Sequence, residues 1–418
     1  MGMERLQAYP FAVLVLIPVT AILLGFYPFR ATENSVTALS DKAPVNHLVV
    51  ITSGPVEKAK TFRIDAMLPT GEPIFLYFAK DTLLPAYLDT IMVYVRLTPP
   101  SVSYSQRTML TGYVPKGAWM MLHPNKRPWY STAKGLQLRL VERYRELGIR
   151  GQELATLSAL TLGYRDDLEQ DTKHAFQAAG AMHVLAVSGL HTGILMTVLL
   201  ALLTCFGRWQ PLYNEQLKQF ILSVVIIFCL WCYAALTGWT PSVVRSVIMC
   251  TIYLAAIAFH RQGVSLNTVF AAAFFILLFR PMDLYTVSFQ LSFAAVIAII
   301  VFVPFMNAFL PVPYNVPKVV EISMRYLRDL ITVSVAAQLG TMPFTLYYYG
   351  QFSTYFLLTN IVVLPLAFVI IGLAIITLSF GAIPYLGEGL AWLLNAAVWC
   401  LNHYTAWIET LPFALLTI

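Results

Sequence analysis

The densest group of polar side chains within an apolar stretch lies between positions 183 and 193. The stretch reads His-Val-Leu-Ala-Val-Ser-Gly-Leu-His-Thr-Gly and places His183 and His191 on either side of Ser188 and Gly189. On an unbroken helix, residues eight positions apart point about 80° away from each other. A break at Ser188 and Gly189 would let both imidazoles face one water-filled cavity, as broken helices do in transporters. The alternative is a close helix crossing at the glycines, with both rings hydrogen-bonded to nearby backbone.

Further polar side chains lie in later apolar segments. Thr240 and Pro241 have the residue types of an N-cap and a first helical position, which places Arg245 near the start of a membrane helix. An arginine at the centre of a bilayer costs about 2.5–3.5 kcal/mol, so Arg245 either reaches the interface or faces a polar interior. Gln290 and Gln338 serve either as path lining or in hydrogen bonds between helices. The residues predicted to line a path through the membrane are His183, Ser188, Gly189, His191, Arg245, Gln290 and Gln338.

The serine beside two histidines also supports a hypothesis from another class. Ser188 with His183 or His191 as its base has the residue types of an intramembrane hydrolase, and a small-solute permease is a third alternative. Two imidazoles without carboxylate partners are too few ligands for zinc, so no metal and no cofactor is predicted. The sequence shows no Walker A loop, Gly-x-Ser-x-Gly elbow or His-Glu-x-x-His motif, and therefore no catalytic residue is predicted.

Composition decides the class of protein that surrounds these groups. Of 418 residues, 58% are hydrophobic and 11% charged, whereas soluble proteins have about 45–50% apolar and about 25% charged residues. A soluble globule and a disordered chain are both excluded. The net charge of +6 suits an anionic partner and equally the positive-inside bias of membrane proteins. All five cysteines lie in apolar stretches, so no disulfide framework is predicted.

The chain divides into four predicted regions. Residues 10–29 carry no charge and are long enough for a transmembrane helix, assigned to 1–30. Short alternating runs within 31–133 predict about five strands, as in an OB-like barrel. Residues 134–170 form an amphipathic helical linker, with a stripe that includes Leu136 and Tyr144. The stripe faces either the bilayer surface or a neighbouring part of the protein. Residues 171–418 hold eight apolar segments and form a polytopic domain.

Loop charges give the predicted orientation. If the N-terminus is cytoplasmic and each segment crosses once, the all-β region lies outside and most loop cations lie inside, as expected for membrane proteins. The predicted fold is therefore a multi-span α-helical membrane protein with a small all-β (OB-like) extracytoplasmic domain near the N-terminus.

A basic and aromatic stretch runs from Thr90 to Val141. It holds seven lysines and arginines, no acid, and six interleaved tyrosines and tryptophans. Cations that follow a backbone, with aromatic rings on which bases stack, are typical of sequence-tolerant binding to single strands. For Trp129 and Tyr130, an interfacial anchor is the alternative. The predicted DNA-binding residues are Arg96, Arg107, Lys116, Trp119, Lys126 and Arg127.

The stretch from His183 to Gly193 resembles the ComEC family of competence membrane channels, whose signature reads like HLLAVSGLH. Three further stretches resemble the family in the same order: Gly238 to Arg245, the SFQLSF run at 288–293, and Gly340 to Pro343. The resemblance implies import of single-stranded DNA through the cell inner (cytoplasmic) membrane, with 171–418 as the competence (channel) domain.

The resemblance also implies partners. Fuller members of the family carry a C-terminal metallo-β-lactamase-like domain thought to degrade the second strand, and this sequence ends at Ile418 without one. We therefore expect a separate nuclease and a separate motor, together with a DNA receptor and other proteins of the competence machinery. The expected mechanism is that the outer domain collects a strand and passes it to the path beside His183, Ser188, His191 and Arg245.

Overall fold

The computed structural model describes residues 43–51, 56–57, 61–69, 73–80, 84–85, 89–98, 110–123, 128–206, 215–258, 266–279, 281–313 and 316–417. The transmembrane helix predicted within 1–30 lies outside these residues. The contacts between residues separate a β unit, which ends at Thr132, from a helical unit, which begins at Ala133.

The β unit is built from short strands in which every second side chain is buried. The strands are β1 Val45–Ile51, β2 Val56–Glu57, β3 Thr61–Met67, β4 Pro73–Ala79, β5 Thr90–Val95, β6 Leu110–Val114 and β7 Trp119–His123. In β3, for example, Ile64 and Ala66 are fully buried while Asp65 between them is not. This alternation is what a half-buried strand requires, and the inward side chains of β1, β3, β4, β5 and β6 form a single core.

The strands pair in the order β6-β4-β3-β1-β5-β7, with β2 beside β3. The β4–β6 pair is parallel, and the other neighbours are antiparallel. Thr98, just after β5, forms an antiparallel bridge to Thr111 in β6, with N–H···O distances of 2.9 and 2.8 Å. This bridge joins the β6 end of the sheet back to β5, so hydrogen-bonded strands form a closed ring.

The helical unit contains twelve helices among the described residues. They are α1 Pro128–Glu146, α2 Gly151–Leu162, α3 Gln170–Ala178, α4 Met182–Leu185, α5 Gly189–Phe206, α6 Glu215–Leu236, α7 Pro241–Ala258, α8 Leu266–Phe279, α9 Val287–Phe309, α10 Lys318–Tyr349, α11 Phe356–Phe380 and α12 Leu386–Glu409. A 3₁₀ turn, Pro281–Tyr285, precedes α9, and two short strands, β8 Gln351–Ser353 and β9 Leu415–Thr417, pair antiparallel.

Five of the described helices are long and apolar enough to cross a membrane. They are Leu217–Leu236 within α6, then α7, α9, α10 and α11, while α5 and α8 are shorter apolar helices. Only 17–33% of each of the five segments is buried inside the protein, so most of their apolar surface faces outward, as a lipid-facing surface does. The chain is a multi-pass membrane protein.

Two details differ from the sequence expectations. The eighth apolar segment, 384–415, forms α12 and β9, and α12 is not among the five. The buried stripe of α1 contains Gln137, Val141 and Tyr144, whereas Leu136, which the helical pattern placed inside, is 48% exposed. Gln137 is inward because its side-chain amide donates to the Leu162 carbonyl at 2.7 Å and so satisfies the end of α2.

The cores position the helix ends that matter for function. The largest cluster joins α1 and α2 with the α3–α4 region, α11 and α12, and every residue of α2 from Leu154 to Leu162 is buried.

The antiparallel neighbours α9 and α10 approach closely at Gly340. A Cβ atom there would lie 2.5 Å from Ala298 Cβ and 2.7 Å from the Ala294 carbonyl oxygen.

Candidate functional site

The apolar segment that contains the two histidines is broken, as the sequence predicts. Helix α4 ends at Leu185, Ala186 is extended, and α5 begins at Gly189. The Ser188 backbone N–H donates to His191 Nδ1 at 3.1 Å, and Ser188 Oγ lies 3.2 Å from the same nitrogen. His191 thus takes the position that Glu or Gln occupies in a capping box, three residues after the N-cap.

This bond fixes the protonation of the His191 ring. Because Nδ1 accepts from a backbone N–H, we infer that the neutral ring carries its proton on Nε2. His191 is 1% exposed, and Nε2 is buried without a hydrogen-bond partner among the described residues. His183 differs, since its ring is exposed and its Nδ1 lies 3.0 Å from the Gly180 carbonyl oxygen. Both rings therefore bond to nearby backbone, which was the alternative interpretation of their spacing.

Three chain turns meet at the break. Gly163 ends α2 with φ +73°, and a Cβ atom there would lie 3.3 Å from Thr237 Cβ and 3.4 Å from Val187 Cγ2. The turn after α2, the turn between α6 and α7, and the break before α5 are therefore neighbours. A Cβ atom on Gly189 would lie 3.0 Å from Ser246 Oγ, so α5 also begins against α7. A Cβ atom on Gly193, by contrast, would meet no atom within 4 Å.

The turn after α2 carries charged and aromatic groups. The Lys134 ammonium lies 5.0 Å from the centre of the Tyr164 ring, a cation–π contact. Burial and the nearby carboxylates of Asp167 and Asp166 raise the pKa of Tyr164 to about 12, so its hydroxyl stays protonated. Burial lowers the pKa of Arg165 from its usual range. The turn thus places a phenol and a guanidinium beside the broken helix.

Arg245 links α7 to the start of α9. Its side chain is 3% exposed, and Nη2 donates to the Ser288 carbonyl at 2.8 Å and to Ser288 Oγ at 2.6 Å. Arg245 is therefore buried within the protein, where polar groups of Ser288 hold its guanidinium. A cavity of about 100 Å³ adjoins it, lined by Pro241, Val244, Arg245, Ile248, Phe275, Ile276, Phe279 and Asp283. Ser288 lies in the SFQLSF run noted in the sequence but was not among the predicted lining residues, and Asp283 was not predicted as a site residue.

The two glutamines have different positions. Gln290 accepts a hydrogen bond from the Tyr348 hydroxyl at 2.7 Å and donates to the Leu284 carbonyl at 3.0 Å, so it holds α9, α10 and the 3₁₀ turn together. Gln338 is half-buried on α10, ten residues before Tyr348, which is about 15 Å along a helix. The structure brings Gln290 close to Ser288 and Arg245 and leaves Gln338 apart from them.

The predicted DNA-binding residues lie in the β unit or outside the described residues. Arg96 and Lys116 are exposed, while Trp119 packs edge-on against Phe78 with ring centres 6.3 Å apart. The Trp119 ring therefore contributes to the core as well as to the surface. The remaining three, Arg107, Lys126 and Arg127, fall outside the described residues.

A surface that sequence reasoning missed lies on the outward side of β3, β4 and β6. Arg63, Tyr77 and Tyr113 lie opposite one another on the three strands. The Arg63 guanidinium lies 4.9 Å from the centre of the Phe75 ring, and Tyr113 is 56% exposed. We call these four residues the aromatic face. A groove of about 320 Å³ runs beside it, lined by Thr61, Tyr77, Thr98, Thr111, Gly112 and Tyr113.

Comparison with known proteins gives consistent results. ComE operon protein 3 of Bacillus subtilis (strain 168) is 32% identical over 209 residues, which cover 50% of this chain and 24% of that protein. An uncharacterized protein of Aquifex aeolicus (strain VF5) is 28% identical over 205 residues, 45% of this chain and 46% of the relative. Uncharacterized protein YcaI of Escherichia coli (strain K12) is 25% identical over 249 residues, 56% of this chain and 31% of the relative. The match therefore spans less than half the length of each relative.

No solved structure matches the chain. The sequence profile of the family described as "Competence protein" matches residues 160–418, which include the broken helix, Arg245 and all five candidate membrane spans. The matched region is more than half of the 418 residues, and the chain therefore belongs to the competence protein family.

Proposed function

We propose that this protein is the channel through which single-stranded DNA crosses the cytoplasmic membrane during natural transformation. The observation that carries the proposal is the gathering of buried polar groups at one end of an otherwise apolar bundle, in a chain of the competence family. His191 and Arg245 are 1% and 3% exposed. Such groups are costly inside a membrane protein and commonly mark a substrate path.

The proposed path runs beside the helix break and then past Arg245. Ser188, Gly189 and His191 form its first part, Gly189 touches Ser246 on α7, and the neighbouring Arg245 reaches Ser288 on α9. The path has few cations, which suits transport, because a densely basic tunnel would retain a polyanion through counterion release. His183 and Gln290 flank it. Gln338 remains a proposed lining residue for a more distant part of the path.

The β unit is proposed as an OB-like domain on the outer side of the membrane. Its pairing supports this assignment: β1, β3 and β4 form an antiparallel meander, β4 pairs parallel with β6, and β5 pairs with β1 and β7. If β6 and β7 are taken as one bent strand, five strands close a small barrel, the architecture of the OB-fold.

Single-stranded DNA is proposed to bind the aromatic face. Oligonucleotides bind OB-folds on the second and third strands, and these correspond here to β3 and β4, which carry Arg63, Phe75 and Tyr77. Exposed rings stack on bases of any sequence, and nearby cations follow the phosphates. Arg96, Arg107, Lys116, Trp119, Lys126 and Arg127 remain proposed DNA contacts. A DNA receptor, a separate motor and a separate nuclease complete the proposed machinery.

The proposal is tested by following DNA in intact cells. In a strain that carries Arg245→Ala or His191→Ala, we expect surface-bound labelled DNA to persist while DNA entry into the cytoplasm is lost. The physical reason is that each change removes a buried polar group from the path. Arg325→Ala is the matched control, because that arginine is exposed and its ion pair among the described residues is a local one, with Glu321 at 2.5 Å. Protein levels in the membrane are measured for every variant.

Two outcomes separate the possibilities. Loss of entry in the Arg245 and His191 variants, with normal entry in the Arg325 control and equal protein levels, supports the proposed path. Normal transformation in both path variants contradicts it.

A hydrolase is the second candidate, because Ser188 Oγ lies within hydrogen-bonding distance of His191 Nδ1. The small-solute permease has no comparable support, since it leaves the aromatic face without a use.

A further inference from the structure

The β unit has a second outward surface, on the strands opposite the aromatic face. Leu48 lies opposite Met92, and Met92 lies opposite Met120, so the three side chains form a row across β1, β5 and β7. Next to the row, Val50 pairs with Met67 at the end of β3. We call this surface the methionine face, composed of Leu48, Val50, Met67, Met92, Tyr94 and Met120.

The methionine face is apolar where a solvated sheet is normally polar. Met120 is 59% exposed, Tyr94 is 51% exposed, and Leu48 and Met67 are each 40% exposed. The barrel core does not need these side chains, because the alternate positions Ile91 and Val93 already fill it. Antiparallel sheets with one solvated face usually place polar residues there. A contiguous exposed apolar patch of this kind marks an interaction surface.

Cations lie at one edge of the methionine face. Arg96 is exposed and lies two residues after Tyr94, so its side chain is on the same side of the sheet as Tyr94. Lys116 is exposed in the turn between β6 and β7, close to Tyr94, whose backbone N–H donates to the Ala118 carbonyl at 2.8 Å. At the other edge, the carboxylate of Asp65 lies 3.2 Å from the Arg63 guanidinium. An apolar centre with a basic edge is complementary to a surface that is apolar inside and anionic at its rim.

We propose that the methionine face docks on a bilayer that contains anionic lipids. Met120, Met92 and Leu48 enter the interface, and Arg96 and Lys116 contact lipid phosphates. Methionine side chains adapt to an irregular apolar surface, and tyrosine is enriched at membrane interfaces. The candidate membrane spans belong to the same chain, so docking is intramolecular and needs little intrinsic affinity. This inference concerns lipid, and it stands whether or not the channel conducts DNA.

The experiment uses the full chain in nanodiscs that hold one copy each. All five native cysteines are replaced, and Met120→Cys carries an environment-sensitive fluorophore, with spin-labelled lipids as the quencher. Tyr113→Cys on the aromatic face is the matched control, because Tyr113 and Met120 are similarly exposed, at 56% and 59%. In discs with anionic phosphatidylglycerol, we expect at least twofold stronger quenching at position 120 than at position 113.

The second part of the experiment varies the charge of the lipids and of residue 116. Quenching at position 120 should fall when the discs contain only zwitterionic phosphatidylcholine, and also when Lys116→Glu is added. Equal quenching at the two positions, or none at position 120, overturns the proposal. Quenching that appears only when a disc holds two copies assigns the methionine face to a second copy of the chain and also overturns lipid docking. If an added oligonucleotide shields position 120 and lipid does not quench it, the methionine face binds DNA, and lipid docking is again overturned.

Discussion

At the scale of single residues, the cap on α5 constrains what His191 can do. The lone pair of Nδ1 is directed to the Ser188 backbone N–H at 3.1 Å, and the other ring nitrogen carries the proton. A general base must have a free lone pair directed at the proton that it removes. His191 could therefore activate Ser188 Oγ only by giving up the bond that caps its own helix. The geometry thus favours a structural and path-lining role for the pair over nucleophilic catalysis.

The substitution Ser188→Ala tests this distinction. It removes the Oγ contact at 3.2 Å and keeps the backbone N–H that caps α5. For a channel we expect transformation within about threefold of wild type, since the stability cost should be near the lower end of cap substitutions, about 0.5 kcal/mol. For a serine hydrolase, removal of the nucleophile lowers activity by roughly 10⁴-fold or more.

The measurement is transformation frequency at equal protein level in the membrane. Thr192→Ala is the control for a nearby hydroxyl, because within the described part of the chain Thr192 Oγ1 donates to the Ser188 carbonyl, at 3.4 Å, and not to His191. A loss of several orders of magnitude in Ser188→Ala, with normal transformation in Thr192→Ala, would overturn the channel interpretation of the serine.

At the scale of helices, the packing of α9 against α10 positions Ser288 for its hydrogen bond with Arg245 and Gln290 for its hydrogen bond with Tyr348. Gly340 allows this approach, because a Cβ atom there would lie 2.5 Å from Ala298 Cβ. We expect Gly340→Ala to destabilise the protein by about 1–3 kcal/mol through overpacking. Gly372→Ala on α11 is the matched control, since a Cβ atom there meets nothing within 4 Å. Alanine favours helix over glycine by about 1 kcal/mol, so the control should be neutral or stabilised.

Unfolding of the purified protein in mixed detergent and SDS gives both changes in the free energy of unfolding. If Gly340→Ala is as stable as Gly372→Ala, the close packing of α9 against α10 is not what holds the two helices together. In that case Gln290 and its bond to Tyr348 carry more of the contact than we infer.

Elements with a strong local pattern could be predicted from sequence, and those decided by distant partners could not. The break at Ser188 and most strands follow from local residue types. Strand β6 has only a weak apolar alternation in the sequence, because Gly112 occupies a core position where an apolar residue is expected. A Cβ atom there would lie 2.7 Å from Val95 Cγ2, so only glycine fits. In the predicted stripe of α1, Tyr144 is buried but Leu136 is exposed. Gln137 lies inside instead, because the Leu162 carbonyl holds its amide, which local periodicity does not reveal.

The same limit applies to the candidate site. Residue types indicated that Arg245 and the two histidines were unusual, and in the structure Arg245 and His191 are buried. The partner Ser288 lies 43 positions from Arg245 along the chain, and no local pattern links the two. The aromatic face depends on the parallel register that places Tyr77 opposite Tyr113, which only the folded sheet provides.

At the scale of the whole molecule, the β unit offers two different surfaces to two different partners. The aromatic face carries Arg63, Phe75, Tyr77 and Tyr113, whereas the methionine face is mainly aliphatic and has cations only at its edge. Separate surfaces would let the domain rest on lipid while it holds a strand. A single shared surface would force DNA and lipid to compete. Arg96 and Lys116 are proposed contacts of both DNA and lipid, so independence of the two faces is predicted only for their uncharged side chains. Substitution of an uncharged side chain in one face should leave the ligand of the other face unaffected.

Tyrosine substitutions on the two faces provide that test in the full chain. Since stacking contributes about 1–3 kcal/mol per base, Tyr113→Ala should weaken binding of a single-stranded oligonucleotide by about 5- to 150-fold. Tyr94→Ala on the methionine face removes a ring of similar exposure, 51% against 56%, and should leave DNA affinity unchanged. Fluorescence anisotropy at several salt concentrations should show the same salt dependence for all proteins, because neither change removes a cation. Equal losses in the two variants would show that DNA binding does not distinguish the faces, and the aromatic face would lose its assigned role.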